Sequence, residues 1–395
     1  MTRGSALRVL HVSAYFAPAF RYGGPPRSIL GLCRAVTKAG ADVEVFTTTA
    51  NGDEPLPAAP GGVTYEGVRV RYFPLTSAGI GWRAIGLADA VGREAKQADL
   101  VHVHGLWNMT AWAGVRAARA AGVPYVISPR GMLQADAMAR HHAAKVVAYY
   151  AVEKRNLEGA ALLHATSDAE ARALARVGPR VAQIANGVAP SPVTADQIAR
   201  VRQHFDLPPN VDLVMFLGRL HPIKRLDLLA GAFTRLRRTG RRACLVIAGP
   251  DEGGHRRRIE PLFAEMSADV RWTGAVDSDD KWALVAASRV LVQCSDSESF
   301  GLSVAEALAA GVPVVVTDRG AWHEVAAVGG GCVVAHDAQA IAGALDRILA
   351  DPHAARAMGE RGRAWAARTF GWDAIGRAML REYESIAGRV RIAAS

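Results

Sequence analysis

Short apolar segments alternate with longer amphipathic ones along this chain of 395 residues, and this alternation restricts the fold more than any other feature. The predicted strands are Leu7–Ser13, Val43–Thr48, Leu100–His104, Tyr125–Ser128, Leu213–Gly218, Cys244–Ala248, Val290–Gln293 and Val312–Thr317. The predicted helices between them include Pro26–Ala39, Ala111–Ala121, Leu226–Arg238 and Lys281–Ala287. Strands separated by helices favour right-handed βαβ crossovers and parallel sheets. The sequence therefore predicts the α/β class.

The alternation stops within residues 178–210, where prolines and Gly-containing turns cluster, and it starts again near Val211. A single core rarely grows beyond about 250–300 residues, so two domains are expected. We predict an N-terminal domain over residues 1–190 and a C-terminal domain over 191–371, with a final helix at about 372–395 packing back on the first. Two doubly wound domains facing across a cleft would place ligands at the carboxyl ends of their strands.

Charge and composition narrow the class of protein. The net charge is +10, and residues 1–190 carry 21 Lys and Arg against 13 Asp and Glu. This excess suits an anionic partner, although an arginine-rich composition is also typical of a GC-rich genome. No RNP, zinc or basic–aromatic pattern indicates nucleic-acid binding. The four cysteines form no CxxC pair, which favours reduced core residues over a disulfide framework or a zinc site.

No apolar run reaches the roughly 18–20 residues of a membrane span, and the first residues do not form a signal-peptide core. We expect a cytoplasmic protein. The segment 140–150, which contains Arg140, His141 and Lys145, favours contact with the anionic inner face of a membrane or, equally, a helix that lines or packs against the cleft.

Residues 295–311 follow a predicted strand and contain two glutamates eight residues apart, Glu298 and Glu306. Between them, Phe300, Gly301 and Leu302 lead into a helix, whose N-terminal amides would face an anion. The two carboxylates could accept hydrogen bonds from vicinal sugar hydroxyls. The alternative is a capping box, because a serine precedes Glu306 by three residues.

A second segment places Arg219 and Lys224 directly after the apolar strand that ends at Gly218. A planar guanidinium and a compact ammonium together can neutralise a diphosphate. Basic residues in such a loop can also simply be solvated.

Three motifs of this sequence resemble those of the retaining GT-B glycosyltransferases of family 4. They are Glu298-x7-Glu306, Gly218-Arg219-x4-Lys224 and the terminal Phe370-Gly371-Trp372. The resemblance covers nearly the whole chain and implies two Rossmann-like domains. It also implies that Glu306 binds the nucleotide ribose, that Glu298 contacts the donor sugar, and that Arg219 and Lys224 bind the diphosphate. The further donor contacts that it implies are the amides of Phe300, Gly301 and Leu302, the loops at Gly249 and Val276, and the glycine pair Gly23 and Gly24.

His104 ends a predicted strand and is placed to enter the cleft, and we count it among the candidate catalytic residues. Many family members carry a histidine after the strand Tyr125–Ser128, whereas this chain has Arg130 there, as do members that build bacterial surface polysaccharides. Whether Arg130, on the acceptor side, or His104 takes over from that histidine stays open. We expect no metal bound by His102 and His104, on the assumption that their side chains leave opposite faces of the strand, and we assign His102 to the core.

Asp277-Ser278-Asp279 matches the metal-binding DxD motif of another glycosyltransferase fold, but it precedes a predicted helix and is interpreted as an N-cap. No cofactor or essential metal is expected.

Together these residues predict transfer of a hexosyl unit from a UDP- or GDP-sugar to the hydroxyl of a saccharide or lipid-linked acceptor. Retention of the anomeric configuration is expected, as in bacterial polysaccharide or glycolipid assembly. A GT-B sugar-nucleotide epimerase and a non-catalytic sugar-nucleotide binding protein are the alternatives. The sequence does not identify the base, the sugar, the acceptor or the oligomeric state.

Overall fold

The computed structural model describes residues 6–77, 81–134, 137–138, 142–178 and 180–394. The chain divides into two compact units, the first formed by Met1–Gly187 with Trp372–Ser395 and the second by Val188–Gly371. The division lies a few residues before the boundary expected at 190–191.

The first unit is built on an eight-stranded sheet in the order β10-β9-β8-β7-β1-β2-β4-β3. All neighbours in it are parallel except the edge pair β3 and β4. Its strands, with the separate β5–β6 pair, are β1 Arg8–Ser13, β2 Asp42–Thr48, β3 Ala59–Tyr65, β4 Val68–Phe73, β5 Leu75–Ser77, β6 Arg83–Ala84, β7 Leu100–His104, β8 Tyr125–Ser128, β9 Leu162–Ala165 and β10 Val181–Gln183. Its α-helices are α1 Gly24–Ala39, α2 Leu87–Ala95, α3 Met109–Ala121, α4 His142–Ala148, α5 Lys154–Glu158, α6 Asp168–Leu174 and the final helix, Trp372–Ala394. A π-helical turn, Tyr149–Glu153, joins α4 to α5.

The second unit is built on a six-stranded, fully parallel sheet in the order β13-β12-β11-β14-β15-β16. Its strands are β11 Asp212–Leu217, β12 Ala243–Ala248, β13 Val270–Gly274, β14 Val290–Gln293, β15 Val314–Thr317 and β16 Gly331–Val334. Its α-helices are α7 Ala195–His204, α8 Leu226–Arg238, α9 His255–Ile259, α10 Ser278–Ala287, α11 Leu302–Ala309, α12 Glu324–Ala327, α13 Ala338–Ala350 and α14 Pro352–Thr369. The final helix of the chain is α15, Trp372–Ala394.

Hydrophobic spacing explains these elements. In α8 the buried residues Leu226, Leu229, Ala230, Phe233 and Leu236 recur every three or four positions, so one face of the helix packs on the sheet. The strands predicted at Leu100–His104, Tyr125–Ser128 and Val290–Gln293 are confirmed with the same bounds. Helix α1 begins two residues before its predicted start, because proline is tolerated in the first helical turn.

The chain returns to the first unit through α15, which packs against α1. Two glycines make this close crossing possible. A Cβ atom on Gly31 would lie 2.1 Å from the Trp372 ring, and one on Gly376 would lie 2.4 Å from the Ala35 carbonyl oxygen. Ion pairs from Lys38 to Asp373 and from Arg180 to Glu382 fix the same helix at the surface.

Each main sheet changes the direction of its strand order at one place. In the first sheet the change falls between β1 and β7, and in the second it falls between β11 and β14. Loops at the carboxyl ends of such neighbours diverge to opposite sides of the sheet and leave a crevice, which is where doubly wound folds bind ligands. The topology therefore indicates where a site should be sought in each unit.

Candidate functional site

Lys224 and Glu298 meet at the change of strand order in the second sheet. Lys224 ends a 3₁₀ turn after β11, Glu298 lies in the loop after β14, and their side chains form an ion pair while remaining only 15% and 11% exposed. The Glu298 carboxylate also accepts hydrogen bonds from Gln293 Nε2 at 3.0 Å and from Ser295 Oγ at 2.9 Å. Two residues that the sequence singled out in separate loops thus lie side by side in a polar, largely buried setting.

Arg219, two residues beyond β11, is paired as well. Its guanidinium forms an ion pair with Glu252, and both side chains are about two-fifths exposed, at 40% and 41%. The loop after β12 is held against it by a backbone hydrogen bond from Leu220 N to Pro250 O at 2.9 Å and by one from Glu252 N to Leu220 O at 3.2 Å. Sequence reasoning missed Glu252; the available signal was the acidic pair directly after Gly249-Pro250.

Gly249 is required for this arrangement, but its close approach is to the protein itself. Its φ is +142°, and a Cβ atom there would lie 1.9 Å from the Gly218 carbonyl oxygen. Its N–H donates to Gly274 O at 2.8 Å, so the carboxyl ends of β11, β12 and β13 are held together. Val276 lies just beyond β13, partly exposed.

The N-terminus of α11 differs from the capping-box alternative. Gly301 is the N-cap residue with φ of +80°, no side chain caps the helix, and Leu302 is its first residue. A Cβ atom on Gly301 would lie 2.7 Å from Trp322 Nε1, so only glycine fits. Phe300 is buried against the Trp322 and Phe370 rings, at 5.2 and 5.7 Å between centroids. The first amides of a helix have no intrahelical acceptor, and they are available to an anion here because no side chain caps them.

Glu306 does not cap its helix. Its carboxylate accepts a hydrogen bond from Lys281 Nζ at 2.6 Å, and these side chains are 13% and 10% exposed. Lys281 belongs to α10, whose N-cap is Asp277, which accepts a hydrogen bond from Asp280 N at 2.8 Å. This confirms the N-cap interpretation of the DxD sequence. Lys281 was missed by sequence reasoning, since nothing in the local pattern relates it to a residue 25 positions away.

In the first unit, Gly23 is the N-cap of α1 with φ of +82°, and Gly24 is the first helical residue. His104 ends β7 and pairs in register with Ser13 of β1, at the change of strand order in that sheet. The glycine pair at the start of α1 and His104 at the end of β7 therefore belong to the two elements that adjoin β1.

The reason given for excluding a His102–His104 metal pair was wrong. Residues two apart on a strand share a face, and the two rings lie 4.2 Å apart between centroids. With His11 of β1 they form a buried group whose possible ligand atoms all lie within 4.8 Å of one another.

The cluster continues outward from His102 through Ser128 to His164, and hydrogen bonds determine which nitrogens of these two histidines are protonated. The Ile184 carbonyl can only accept, so His164 Nε2 must donate to it, at 2.8 Å. His164 Nδ1 then accepts from the Ser128 hydroxyl at 2.7 Å, and Ser128 Oγ accepts from His102 Nε2–H at 2.6 Å. The remaining nitrogen, His102 Nδ1, accepts from the Tyr383 hydroxyl at 2.5 Å.

Arg130 determines the protonation of His104 and His11, which form the inner part of the cluster. Arg130 can only donate, so His104 Nδ1 accepts from its Nε and Nη2 at 3.3 and 3.2 Å. His104 Nε2–H then donates to His11 Nδ1 at 2.9 Å, and His11 Nε2 carries a proton that finds no partner among the described residues. In this assignment every imidazole is neutral, and the unprotonated nitrogen of each ring accepts a hydrogen bond from a neighbour.

Burial keeps the four rings neutral. It lowers the pKa of His11 to about 3 and that of His164 to about 4, and it holds the pKa values of His102 and His104 well below the ordinary value. The positive charge of Arg130 adds to the effect at each ring. His104 is therefore a neutral hydrogen-bonding group whose Nε2 proton already points to His11.

Arg130 is held in a left-handed backbone conformation, with φ of +54°. The next residue anchors it, because Glu170 accepts a hydrogen bond from Gly131 N at 2.6 Å. Besides the bonds to His104, Nη1 donates to Ser28 Oγ at 2.9 Å and faces Asn186 Oδ1 at 3.5 Å. The departure from the usual histidine thus places a cation beside His104.

The basic segment expected near the membrane is only partly described. Arg140 and His141 lie outside the described residues, whereas α4 begins at His142. Val147 and Tyr150 expose 68% and 70% of their surface. Among the helices within the described ranges, none has the length and apolarity to cross a membrane.

Two protein-family models match the chain, one within each unit. Residues 23–187 match the family model described as glycosyl transferase 4-like domain, and residues 197–365 match glycosyl transferases group 1. The chain is 30% identical to D-inositol 3-phosphate glycosyltransferase 2 of Catenulispora acidiphila, over 97% of this chain and 95% of that one. It is 29% identical to the D-inositol 3-phosphate glycosyltransferase of a Nocardioides species, over 98% of this chain and 91% of the relative.

Solved structures resemble the whole chain. Sucrose-phosphate synthase from Thermosynechococcus elongatus superposes with a TM-score of 0.76 at 23% identity, covering 98% of this chain and all of that one. The Anabaena protein Alr3699/HepE in complex with UDP-glucose gives a TM-score of 0.74 at 20% identity, covering 96% and 99%. At these identities the likeness concerns the fold.

Proposed function

We propose a reaction for this chain from one premise: it belongs to the glycosyltransferases, with a family 4-like domain followed by a group 1 domain on the predicted GT-B fold. The proposed reaction transfers a hexosyl unit from a nucleoside diphosphate sugar to an acceptor hydroxyl with retention of configuration. The supporting observation is the polar set at β11 and β14, where Lys224 and Glu298 are already in contact.

In this proposal the second unit binds the donor. Arg219 and Lys224 neutralise the diphosphate, and the amides of Gly301 and Leu302 donate hydrogen bonds to it. In the described structure both cations are paired with carboxylates, Glu252 and Glu298. Donor binding exchanges these ion pairs for phosphate contacts and leaves Glu298 able to accept hydrogen bonds from the sugar hydroxyls.

Glu306 accepts hydrogen bonds from the ribose. Only its Oε1 is bonded to Lys281, so Oε2 is the atom assigned to the ribose hydroxyls. A carboxylate accepts about four hydrogen bonds, and one bond from Lys281 orients it without filling it.

The chemical step in this proposal needs no nucleophilic side chain. The acceptor hydroxyl attacks from the face that the diphosphate leaves, and the departing phosphate oxygen takes its proton. The protein contributes positioning and stabilisation of the negative charge that develops on the diphosphate. Anomeric coupling constants of the product, measured by NMR, test retention, and full activity in excess EDTA tests the expectation that no metal is essential.

The variant Arg219→Ala with Lys224→Ala tests the site. We expect at least about a hundredfold loss of transfer, because removal of one preorganised charge-stabilising donor already costs about 10²–10³ in rate. The matched control is Arg237→Ala with Arg241→Ala, which removes two cations of the same unit that pair with Asp269 and Asp346. Near-normal turnover in the first double variant would refute the assignment.

Two other functions remain as alternatives. A sugar-nucleotide epimerase would change the donor without an acceptor, and a binding protein would take up the donor without turnover. NMR spectra of the donor incubated with and without acceptor separate the three cases. All three functions require a diphosphate to bind beside Arg219 and Lys224. The double variant should therefore lose donor binding in each of the three cases.

The donor base and the acceptor need separate measurements. A thermal-shift panel of nucleoside diphosphates and their sugars, UDP and GDP first, identifies the base, because a ligand of the folded state raises Tm. D-inositol 3-phosphate, the acceptor in the names of the relatives, and saccharide or lipid-linked acceptors of bacterial surface assembly are then tested in turn.

We also propose that the first unit meets the cytoplasmic membrane surface through the segment around α4. The support is the exposure of Val147 and Tyr150 together with the basic character of residues 1–190. Flotation with vesicles that contain anionic lipid, compared with neutral vesicles, tests this. Lack of salt-sensitive binding to the anionic vesicles would contradict it.

A further inference from the structure

Arg130 lines a small pocket in the first unit. The pocket lies at the change of strand order between β1 and β7 and contains about 260 Å³ free of protein atoms, open solvent included. Besides Arg130, its walls combine apolar residues with polar ones: Ala14, Pro25, Ile29 and Met132 on one hand, and Ser13, Tyr15, His104 and Asn108 on the other.

Neutral acceptors hold the Arg130 guanidinium at this pocket. It donates to His104, whose ring is neutral, to the hydroxyl of Ser28 and to the amide oxygen of Asn186. None of these groups carries a negative charge. They orient the guanidinium without compensating it.

Among the residues that the structure describes, no carboxylate forms an ion pair with Arg130. Glu170 acts on it only through space, since its carboxylate oxygens accept hydrogen bonds from Gly131 N and from Thr166 N and Oγ1. Burial lowers the pKa of Arg130 to about 10, so the group stays cationic at neutral pH. The surrounding histidines are neutral, and the Glu170 carboxylate attracts Arg130 without touching it.

The backbone holds this cation in place at some cost. Arg130 takes a left-handed conformation that non-glycine residues rarely adopt, and such conformations persist where the surroundings over-determine them, often at functional sites. Here the hydrogen bond from Gly131 N to Glu170 holds the backbone, and the three side-chain acceptors hold the guanidinium. A partly buried cation with no carboxylate in contact is unfavourable by itself, and an anionic ligand would supply that contact.

We propose that the Arg130 pocket binds an anionic group, a carboxylate or a phosphate, carried by one of the sugar substrates. This rests on the proposed glycosyl transfer and specifies its substrate class: either the transferred sugar or the acceptor is acidic. A guanidinium suits either anion by its charge: four of its five N–H groups already donate to His104, Ser28 and Asn186, and the remaining Nη2–H is left for the ligand.

The first experiment measures binding without turnover. The full-length Arg219→Ala, Lys224→Ala variant, which lacks the two cations assigned to the donor diphosphate, is titrated with D-glucuronate, glucose 6-phosphate, glucose and inorganic phosphate. With ¹⁵N-labelled histidine, the acidic sugars should shift the His104 and His11 resonances, because Arg130 bonds directly to His104 and His104 to His11. Glucose should not, and the exposed His204 serves as an internal reference.

Two substitutions at Arg130 separate charge from hydrogen bonding. Arg130→Gln keeps N–H donors for His104 and removes the charge, and it should abolish binding of the acidic sugars. Arg130→Lys keeps the charge and should retain binding, weakened about tenfold because a flexible ammonium replaces the guanidinium that His104, Ser28 and Asn186 orient. Equal binding by the Gln variant, no response of wild-type His104 to either acidic sugar, or inorganic phosphate binding as tightly as glucose 6-phosphate would each overturn the proposal.

Transfer assays then identify which substrate carries the anion. UDP-glucuronate is compared with UDP-glucose as donor, and phosphorylated with neutral sugars as acceptor, each in wild type and Arg130→Gln. A rise in KM confined to the acidic donor assigns the pocket to the donor, and one confined to the acidic acceptor assigns it to the acceptor. If none of the UDP- and GDP-sugars supports transfer to any acceptor, the proposed function fails while the binding result still decides the pocket.

Discussion

Acidification from about pH 7 to about pH 5.5 should destabilise the first unit more than the second, because burial lowers the pKa of four histidines there, against His255 in the second unit. The pKa values of His11 and His164 lie at about 3 and about 4, and those of His102 and His104 lie well below the ordinary value of about 6.5. The unfolded chain therefore binds protons in this interval that the folded unit cannot. Unfolding free energy falls as pH falls wherever the unfolded state binds more protons.

The size of the effect follows from the same values. A histidine that titrates at about 6.5 only when unfolded lowers the unfolding free energy by slightly more than about 1 kcal/mol between pH 7 and pH 5.5. Four of them give about 5 kcal/mol. Glu153, whose pKa is raised by burial, takes up its proton more readily when folded and offsets part of this loss. For a unit of about 200 residues, 5 kcal/mol corresponds to a fall in Tm of about 10–20 °C.

Calorimetry at the two pH values, with hydrogen exchange of β1 and β7 peptides to assign the transition to the first unit, measures this shift. His11→Gln removes one titrating ring and keeps an acceptor for His104, so it should reduce the pH-dependent loss by about a quarter. His204→Gln, an exposed residue of the second unit, is the control and should change nothing. Titration of the His11, His102, His104 or His164 imidazole signals of the folded protein near pH 6.5 would refute the reasoning.

Two further predictions concern the second unit. Lys281→Met should weaken binding of the preferred nucleoside diphosphate, UDP or GDP, about tenfold, because the cation fixes the Glu306 carboxylate, and Lys281→Arg should largely preserve it. Calorimetric Kd values measure this, and equal Kd values for Lys281→Met and wild type would exclude the positioning role. Gly249→Ala should lower the unfolding free energy of this unit by about 2 kcal/mol or more, since its Cβ atom would lie 1.9 Å from the Gly218 oxygen at a φ of +142°. Urea unfolding checks this prediction, with Gly240→Ala as the control, because that position also has positive φ, +81°, but has open space around it.

Local sequence determined the architecture, because the periodicity of a parallel α/β fold is written in short windows. The buried strands at 100–104 and 290–293 and the α8 pattern needed no tertiary information. Residues with charge at the ends of strands, such as Lys224 and Glu298, could also be singled out, since carboxyl ends of parallel strands share one edge of a sheet.

Contacts between distant positions decided the rest. The bond from Tyr383 to His102 joins residues 281 positions apart, and the Lys281–Glu306 pair joins two different helices. The sequence displays His102 and His104 but cannot display the desolvation that keeps them neutral, nor that Arg130 meets only neutral acceptors. Burial and charge compensation depend on what the whole unit packs around a group, and only the tertiary structure specifies that environment.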